Sequence, residues 1–144
     1  MKDNNNLLNY NQWVSDYDGT ANGFVCGAGM KVYPNNKYSY IGESSFKLVK
    51  TGQSQVWAEV RKNSNATRFT GNINVYNPYE NGALILVITY SDNTQSSTVI
   101  YIPPNEDFQN ISCSITADAG KTVSMIALRV SLNNGYIDNM SITL

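Results

Sequence analysis

The chain has 144 residues, a formal net charge of −1, two cysteines, ten tyrosines and no histidine. Without histidine it cannot carry a Ser-His-Asp or Cys-His nucleophile, a His-ligated zinc site or a histidine general base. Two cysteines alone cannot form a thiolate zinc cage. The near-neutral charge excludes the basic surface that nucleic-acid binding requires, and a chain of this length fits one domain.

Short segments rich in Val, Ile, Thr, Tyr and Phe recur between Gly, Asn, Asp and Pro residues, and no long segment has helical spacing of apolar residues. This pattern predicts an all-β sandwich or barrel. The predicted strands are Leu7–Trp13, Phe24–Tyr33, Ser45–Lys50, Gln55–Lys62, Arg68–Asn77, Ala83–Ser91, Gln95–Ile102, Phe108–Thr116, Thr122–Leu132 and Tyr136–Leu144. Because no linker or repeat interrupts the pattern, residues 1–5 are expected to form a flexible lead and residues 6–144 one domain.

Alternation within strands separates core residues from displayed residues, because successive side chains point to opposite faces of a sheet. In the strand from Arg68, the predicted core residues are Phe69, Gly71, Ile73 and Val75. The predicted displayed residues of that strand are Thr70, Asn72, Asn74 and Tyr76. In two further strands the predicted displayed residues include Gln55, Trp57, Glu59, Arg61 and Arg129.

Trp57 is the most informative displayed aromatic residue. An exposed ring can stack on the apolar face of a pyranose, and Gln55, Glu59 and Arg129 offer hydrogen bonds to its hydroxyl groups. Tyr76 with Asn72 and Asn74 offers the same combination on another strand. Tyr90, at the end of an apolar central strand, completes the candidate set. The alternative is that a loop or the N-terminal segment covers Trp57, as for many half-buried aromatic residues.

Asp138 lies in phase with Tyr136, Met140 and Ile142 in the last predicted strand, so strict alternation points its carboxylate inward. A buried carboxylate costs several kcal/mol unless it is hydrogen-bonded or neutralised. With no Lys or Arg nearby in sequence, a bound calcium ion is the simplest neutralising partner. The alternative is a one-residue slip or bulge, which would place Asp138 in water.

Cys26 and Cys113 lie in different predicted strands. They either form one disulfide in an exported domain or remain two separate buried thiols. Glycoside hydrolysis needs two carboxyl groups about 5–10 Å apart. Glu59 is the one acid beside a predicted sugar platform, and it has no second carboxyl group in phase with it. A glycosidase is therefore the third hypothesis, after a sugar-binding module and a structural module.

The N-terminal sequence, Met1 to Asn5, is polar and lacks the apolar region of a signal peptide. The longest apolar run, Ala83 to Ile88, is too short to cross a bilayer. The chain is therefore expected to be cytoplasmic or a domain of a longer exported protein, without membrane insertion.

Several segments together resemble the jelly-roll, galactose-binding-like carbohydrate-binding modules of families 4, 9, 16 and 22. The resemblance covers most of the chain, and its most specific segment is Tyr136–Ile142, which is similar to the family's terminal Tyr-Ile-Asp-Asp-Val type of strand. The other segments that carry it are Asn6–Asn9, Glu43–Leu48, Phe69–Tyr76 and Phe108–Ser112. The resemblance implies an antiparallel β-sandwich with jelly-roll topology.

The resemblance also implies site residues. It makes Asp138 a ligand of a structural calcium ion, with Glu43 and Asn9 as further candidate ligands. It places Asn72, Asn74 and Tyr76 on the sheet face that lines a sugar-binding cleft. The N-terminal segment departs from the family, because Tyr10–Trp13 stands where a Gly-Phe-Glu type of sequence is common, and a frequent calcium ligand is missing.

The sequence therefore predicts non-catalytic binding of a polysaccharide or oligosaccharide on a concave sheet face lined by aromatic and amide side chains. The parent is expected to be a secreted enzyme or surface protein with other domains attached, which places this domain outside the cell or at its surface. The alternative is a structural or adhesion module of a cell-surface or phage-tail protein that binds no sugar.

Overall fold

The computed structural model describes residues 24–35, 38, 40 and 45–144, which form ten β-strands. The strands are β1 Val25–Cys26, β2 Met30–Asn35, β3 Ser45–Lys50, β4 Ala58–Asn63, β5 Arg68–Tyr76, β6 Gly82–Tyr90, β7 Gln95–Ile102, β8 Gln109–Thr116, β9 Val123–Ser131 and β10 Gly135–Thr143. The predicted strand Leu7–Trp13 lies outside the described residues. Among the described residues there is no helix with the length and hydrophobicity needed to cross a lipid bilayer.

The strands form two antiparallel five-stranded sheets that pack as a β-sandwich. The first sheet has the order β1-β4-β9-β6-β7, and the second has the order β2-β3-β10-β5-β8. The chain passes repeatedly from one sheet to the other, so neighbours in a sheet are mostly distant in sequence. This arrangement confirms the predicted all-β class and jelly-roll sandwich.

The hydrophobic core lies between the two sheets and follows the alternation predicted for several strands. Phe69, Ile73 and Val75 of β5 are fully buried in it. Gly71 also faces the core, and a Cβ atom there would lie 2.7 Å from Leu86 Cδ2, so the core closes tightly over this glycine. The outer faces of the two sheets, which carry the remaining side chains, therefore point in opposite directions.

The predicted strand Phe24–Tyr33 is divided in two. β1 pairs with β4 in the first sheet, whereas β2 pairs with β3 in the second. The chain changes sheets at Gly27–Gly29, where the Met30 amide donates to the Gly27 carbonyl at 3.1 Å. A Cβ atom on Gly27 would lie 2.0 Å from the Gln55 carbonyl oxygen, so this turn requires glycine.

The predicted strand Gln55–Lys62 begins later than expected, at Ala58. Gln55 has φ +52°, in the left-handed region, so it cannot continue a regular strand. Its carbonyl accepts a hydrogen bond from the Gly29 amide at 3.2 Å, and its side-chain Oε1 accepts one from the Ala28 amide at 3.3 Å. Gln55 thus holds the turn between β1 and β2 instead of lying beside a sugar platform.

The two cysteines are separate free thiols. Cys26 lies in β1 of the first sheet, and Cys113 lies in β8 of the second. Cys113 packs against the core, and its partial burial raises the pKa of its thiol. Of the two alternatives left open by the sequence, the disulfide is excluded in this structure, and the alternative of two buried thiols is wrong for Cys26, which is exposed.

Candidate functional site

The predicted sugar-binding residues are divided between the two outer faces of the sandwich. Glu59 and Arg129 are paired on the outer face of the first sheet, and Trp57 lies beside them. Asn72 and Tyr76 lie on the outer face of the second sheet. Because the core separates these faces, the eight residues do not form one concave surface.

Glu59 is buried, with 2% of its surface exposed, so the prediction that it is displayed is wrong. Arg61 Nε donates to Glu59 Oε2 at 2.8 Å, and Arg129 Nε donates to Oε1 at 3.0 Å. The Arg129 guanidinium also lies over the Trp57 ring, 4.7 Å from its centroid. Trp57 is half-buried, and the arginine already occupies one side of its ring.

Tyr90 does not reach the surface. It is 1% exposed, belongs to the core, and its hydroxyl forms hydrogen bonds with Ser96 Oγ at 2.7 Å and with the Asp118 amide at 2.7 Å. Both partners are protein groups that satisfy the buried hydroxyl. The prediction that Tyr90 contacts a sugar is therefore wrong.

The outer face of the second sheet carries a cluster of aromatic rings, here called the tyrosine cluster. Its members are Tyr38, Tyr40, Tyr76, Phe108 and Tyr136. The Tyr76 and Tyr136 rings are stacked, with centroids 5.7 Å apart and planes at 22°. The Tyr38 ring lies 5.1 Å from Tyr76 and 4.9 Å from Tyr136. Phe108 lies 5.6 Å from Tyr76 on its other side.

A pocket of about 200 Å³ opens beside the tyrosine cluster. Its described lining residues are Tyr38, Lys47, Tyr76, Pro78, Tyr79, Asn134 and Tyr136. Tyr79 is 77% exposed and also lines a second, more open cavity of about 460 Å³ with Lys50, Glu80, Asn81 and Pro104. The pocket thus combines aromatic walls with an amide and an ammonium group, which is a lining suited to a polar ligand with apolar faces.

A row of side-chain amides continues from the tyrosine cluster along the same face, here called the amide row. Asn110 donates to Asn72 Oδ1 at 3.0 Å and to Asn74 Oδ1 at 3.2 Å, while Asn72 donates to Asn110 Oδ1 at 3.2 Å. Beyond them, the Thr70 and Ser114 hydroxyls are 2.6 Å apart. At about 3.3 Å per residue, Thr70 to Tyr76 span about 20 Å, enough for several groups to contact one extended ligand.

Asn74 is 2% exposed, so the prediction that it is displayed is wrong, although its place on the outer face is as expected. It is paired with Asp138 on β10 and hydrogen-bonded to Asn110 on β8. Asn74 therefore fixes the position of its neighbours from below the surface, while Asn72 and Tyr76 remain partly exposed.

Asp138 is 1% exposed, as predicted, but it does not face the hydrophobic core. A bulge between Asp138 and Ser141 breaks the alternation of β10, and Asn139 there has φ +50°. Asp138 consequently shares the outer face with Tyr136, while Met140 joins the core. The phase argument for an inward carboxylate is wrong, because it assumed strict alternation.

Backbone amides are partners of the Asp138 carboxylate. The Tyr40 amide donates to Oδ2 at 2.9 Å, and the Asn139 amide donates to Oδ1 at 2.8 Å. Glu43 and Asn9, the other predicted calcium ligands, lie outside the described residues. Among residues 24–35, 38, 40 and 45–144, no cluster of three or more cysteine, aspartate or glutamate side chains could hold a metal ion. Calcium at Asp138 stays a prediction.

Tyr76 lies in an environment that disfavours its ionised form. Partial burial is the main cause that raises the pKa of Tyr76, and the neighbouring Tyr38, Tyr79, Asp107 and Glu106 raise it further. The hydroxyl therefore remains a neutral donor and acceptor across the physiological pH range.

Several residues of this face were not predicted from the sequence as site residues. Strict alternation assigns Tyr136 to the core, and the strand pattern does not distinguish Tyr38, Lys47, Phe108 and Asn110 from other residues. Tyr136 is paired with Tyr76 across β5 and β10, and Asn110 with Asn74 across β5 and β8. The signal that could have found them is cross-strand matching of like side chains, which requires the strand order.

Comparisons with known proteins support this fold by structure and not by sequence. No known protein family matches the chain, and no curated protein matches it. The CBM22-1 xylan-binding domain of Paenibacillus barcinonensis Xyn10C is similar in structure, with a TM-score of 0.65, 12% identity and 88% of each chain covered. The chain has the jelly-roll fold of family 22 carbohydrate-binding modules.

This CBM22-like fold also occurs inside larger proteins. In Clostridium thermocellum Xyn10B, a structure of the CBM22-1-GH10 modules complexed with xylohexaose matches 85% of this chain and 26% of that one, with a TM-score of 0.63 and 14% identity. In tailspike protein 4 of bacteriophage CBA120, the enzymatically active domain matches 97% of this chain and 21% of that one, with a TM-score of 0.68 and 14% identity. The chain thus spans a minor part of both.

Proposed function

We propose that this domain binds a polysaccharide, without catalysis, on the outer face of its second sheet. The observation that carries the proposal is the continuity of the tyrosine cluster with the amide row on one face. Aromatic rings provide apolar platforms for the C–H faces of sugar rings, and side-chain amides hydrogen-bond to hydroxyl groups. One extended face that offers both is suited to an extended, neutral, polyhydroxylated ligand.

Xylan is the first ligand to test. Two of the structures with this fold are described as a xylan-binding domain and as a complex with xylohexaose. At identities of 12% and 14% the ligand does not transfer with the fold, so the choice rests on the tyrosine cluster and the amide row of this chain.

The pocket lining favours binding over hydrolysis. Lys47 is the charged residue among its described lining residues, which include no carboxylate. Glycoside hydrolysis usually requires two carboxyl groups on either side of the scissile bond. The buried acid of this face, Asp138, accepts hydrogen bonds from two backbone amides. The described lining of the pocket therefore lacks the paired acid and nucleophile that a glycosidase requires.

Isothermal titration with xylohexaose, and affinity electrophoresis in xylan, test the proposal. Tyr76→Ala should weaken binding about tenfold or more, because the ring is central in the cluster, and the variant should still unfold cooperatively. Tyr101→Ala is the matched control, because Tyr101 is 79% exposed on the outer face of the first sheet. Trp57→Ala tests whether the first sheet also takes part.

Binding that survives Tyr76→Ala but is lost in Trp57→Ala would move the site to the first sheet. A wild-type protein that binds none of a broad panel of plant, fungal and bacterial polysaccharides, with and without calcium, would overturn the proposal.

We further propose that the domain is tethered within an exported parent protein. Support comes from the larger chains that contain this fold, one with GH10 modules and one from a phage tailspike. Proteomic detection of peptides from this chain in the culture medium or on the cell surface of the source organism tests this placement, and detection only in the cytoplasm would contradict it.

The second candidate is a structural module without sugar binding, as in a tail or surface protein. The observation that favours it is the tailspike match, which covers 97% of this chain with a TM-score of 0.68. A structural module should leave the glycan panel unbound while its removal destabilises the parent assembly. Polysaccharide binding that depends on Tyr76 would contradict this candidate.

A further inference from the structure

We propose that Lys47 makes this face selective for acidic glycans, by binding the carboxylate of a uronic-acid substituent in the pocket beside Tyr136. This inference rests on the proposed function and adds the chemical class of the ligand. Lys47 lies on β3, directly opposite Tyr136 on β10, and its side chain is half-buried. Its Nζ lies 5.9 Å from the centroid of the Tyr136 ring.

The charge of Lys47 is not matched by a carboxylate within the described part of the chain. The ion pairs there involve Glu59 with Arg61 and Arg129, and Asp92 with Lys121. The contact of Lys47 with the Tyr136 ring is weak, because the site is partly exposed and the distance of 5.9 Å is long. A half-buried ammonium with three hydrogen donors therefore faces the pocket with capacity to bind an anion.

The neighbouring cavity provides a contrast. Lys50 lines the more open cavity of about 460 Å³, but Glu80 lines it as well, so opposite charges meet there. In the pocket of about 200 Å³, Lys47 is the charged member of the described lining. An anionic group is thus attracted to the smaller pocket and not to its neighbour.

Acidic residues lie on the side of the sheet opposite Lys47. A row of aromatic side chains, distinct from the amide row, crosses the sheet from Phe108 beside β8, through Tyr76 and Tyr136, and ends at Lys47 on β3. Glu106 and Asp107 precede β8 and act electrostatically on Tyr76. The row is therefore acidic at one end and basic at the other, which would orient a ligand with one acidic branch toward Lys47.

Neutral sugar rings would still stack on the tyrosine cluster, because stacking requires no charge. The ammonium adds a charge-assisted hydrogen bond only for a ligand that bears an anion. Lys47 thus determines specificity, while the rings supply the binding platform.

The test compares a xylo-oligosaccharide that carries a glucuronic acid branch with its carboxyl-reduced form, which has the same size without the charge. Wild-type protein should bind the acidic form about tenfold more tightly at low ionic strength, as one charge-assisted hydrogen bond allows. Lys47→Gln should bring the ratio of the affinities for the acidic and reduced forms close to one, whereas Lys47→Arg should keep the preference for the acidic form. Lys31→Gln is the matched control, because Lys31 is exposed on the same face outside the pocket.

Equal wild-type affinity for the two forms would overturn this inference and leave the proposed function intact. Binding of neither form would overturn this inference, and the proposed function falls with it only if the broad polysaccharide panel is unbound as well. The inference would also be overturned if the preference for the acidic form persists in Lys47→Gln, because other groups would then cause it. Loss of the preference in Lys31→Gln as well would have the same meaning, because overall charge would then cause it.

Discussion

The Arg129 guanidinium lies 4.7 Å from the centroid of the Trp57 ring, on the outer face of the first sheet. The same guanidinium donates to Glu59, a carboxylate that is 2% exposed. Glu59 therefore fixes Arg129 on the Trp57 ring, and the pair makes this face a structural unit. A stacking ligand could reach only the other side of the indole.

The stability of this unit depends on the charge of Glu59. Glu59→Gln should lower the free energy of unfolding by about 1–3 kcal/mol, because two arginines lose the carboxylate between them. Urea unfolding of wild type and variant provides the measurement. Glu80→Gln is the control, because Glu80 is exposed, and its unfolding midpoint should stay near that of wild type. Equal midpoints for all three proteins would contradict the prediction.

The turn that carries the chain between the sheets should not tolerate a side chain at Gly27. A Cβ atom there would lie 2.0 Å from the Gln55 carbonyl oxygen, and the Gly27 amide donates to the Trp57 carbonyl at 2.9 Å. Gly27→Ala should therefore destabilise the domain by about 1–3 kcal/mol, as overpacking does. Gly52→Ala is the matched control, since its Cβ atom has its nearest neighbour at 3.4 Å. Calorimetry should show a lower melting temperature for Gly27→Ala only.

Asp92 should contribute to the acid sensitivity of the fold. Its Oδ1 accepts hydrogen bonds from the Thr94 amide at 3.0 Å and from the Thr94 hydroxyl, and these bonds lower the pKa of Asp92. Because the folded pKa lies below the unfolded one, the contribution is present above the unfolded pKa of about 3.9 and is lost as the pH falls through the folded pKa.

Below about pH 4, the melting temperature of Asp92→Asn should consequently decrease less with falling pH than that of wild type. This range follows from the unfolded pKa of about 3.9. Melting curves recorded at successive acidic pH values provide the measurement. If wild type and variant lose stability in parallel over this range, Asp92 does not contribute to the dependence.

Calcium at Asp138 is tested by chelation. If the ion binds there, a chelator should lower the melting temperature of the wild-type chain but not of Asp138→Ala. Asp92→Asn is the control, because it removes a different carboxylate, and its melting temperature should respond to the chelator as that of wild type does. Identical melting of wild type with and without chelator would rule out a stabilising calcium site.

The alternation of β5 predicted its core face from the sequence, because Phe69, Ile73 and Val75 repeat with the period of a strand. What covers the opposite face could not be predicted in the same way. Asn74 is hydrogen-bonded to Asn110 on β8 and paired with Asp138 on β10, and these contacts depend on strand order. Burial of Glu59 likewise depends on Arg129, which is 70 residues away in sequence.

The tyrosine cluster was missed for the same reason. Tyr76 was singled out by its phase, but Tyr136 and Tyr38 come to it from other segments of the chain. A strand pattern predicts which face a residue occupies and not which residues share that face. The sequence therefore placed Asn72 and Tyr76 on the correct face of their strand, but the residues that share this face with them follow only from the strand order β3-β10-β5-β8.

At the bulge in β10, the Asn139 N–H donates to a side chain of its own strand. Because the bulge adds one residue between Asp138 and Met140, removal of Asn139 would leave both side chains on the faces they now occupy. What would disappear is the inserted N–H, which donates to the Asp138 carboxylate at 2.8 Å. The extra residue therefore adds one backbone N–H donor to β10, and this donor stabilises the buried Asp138 carboxylate on the same strand.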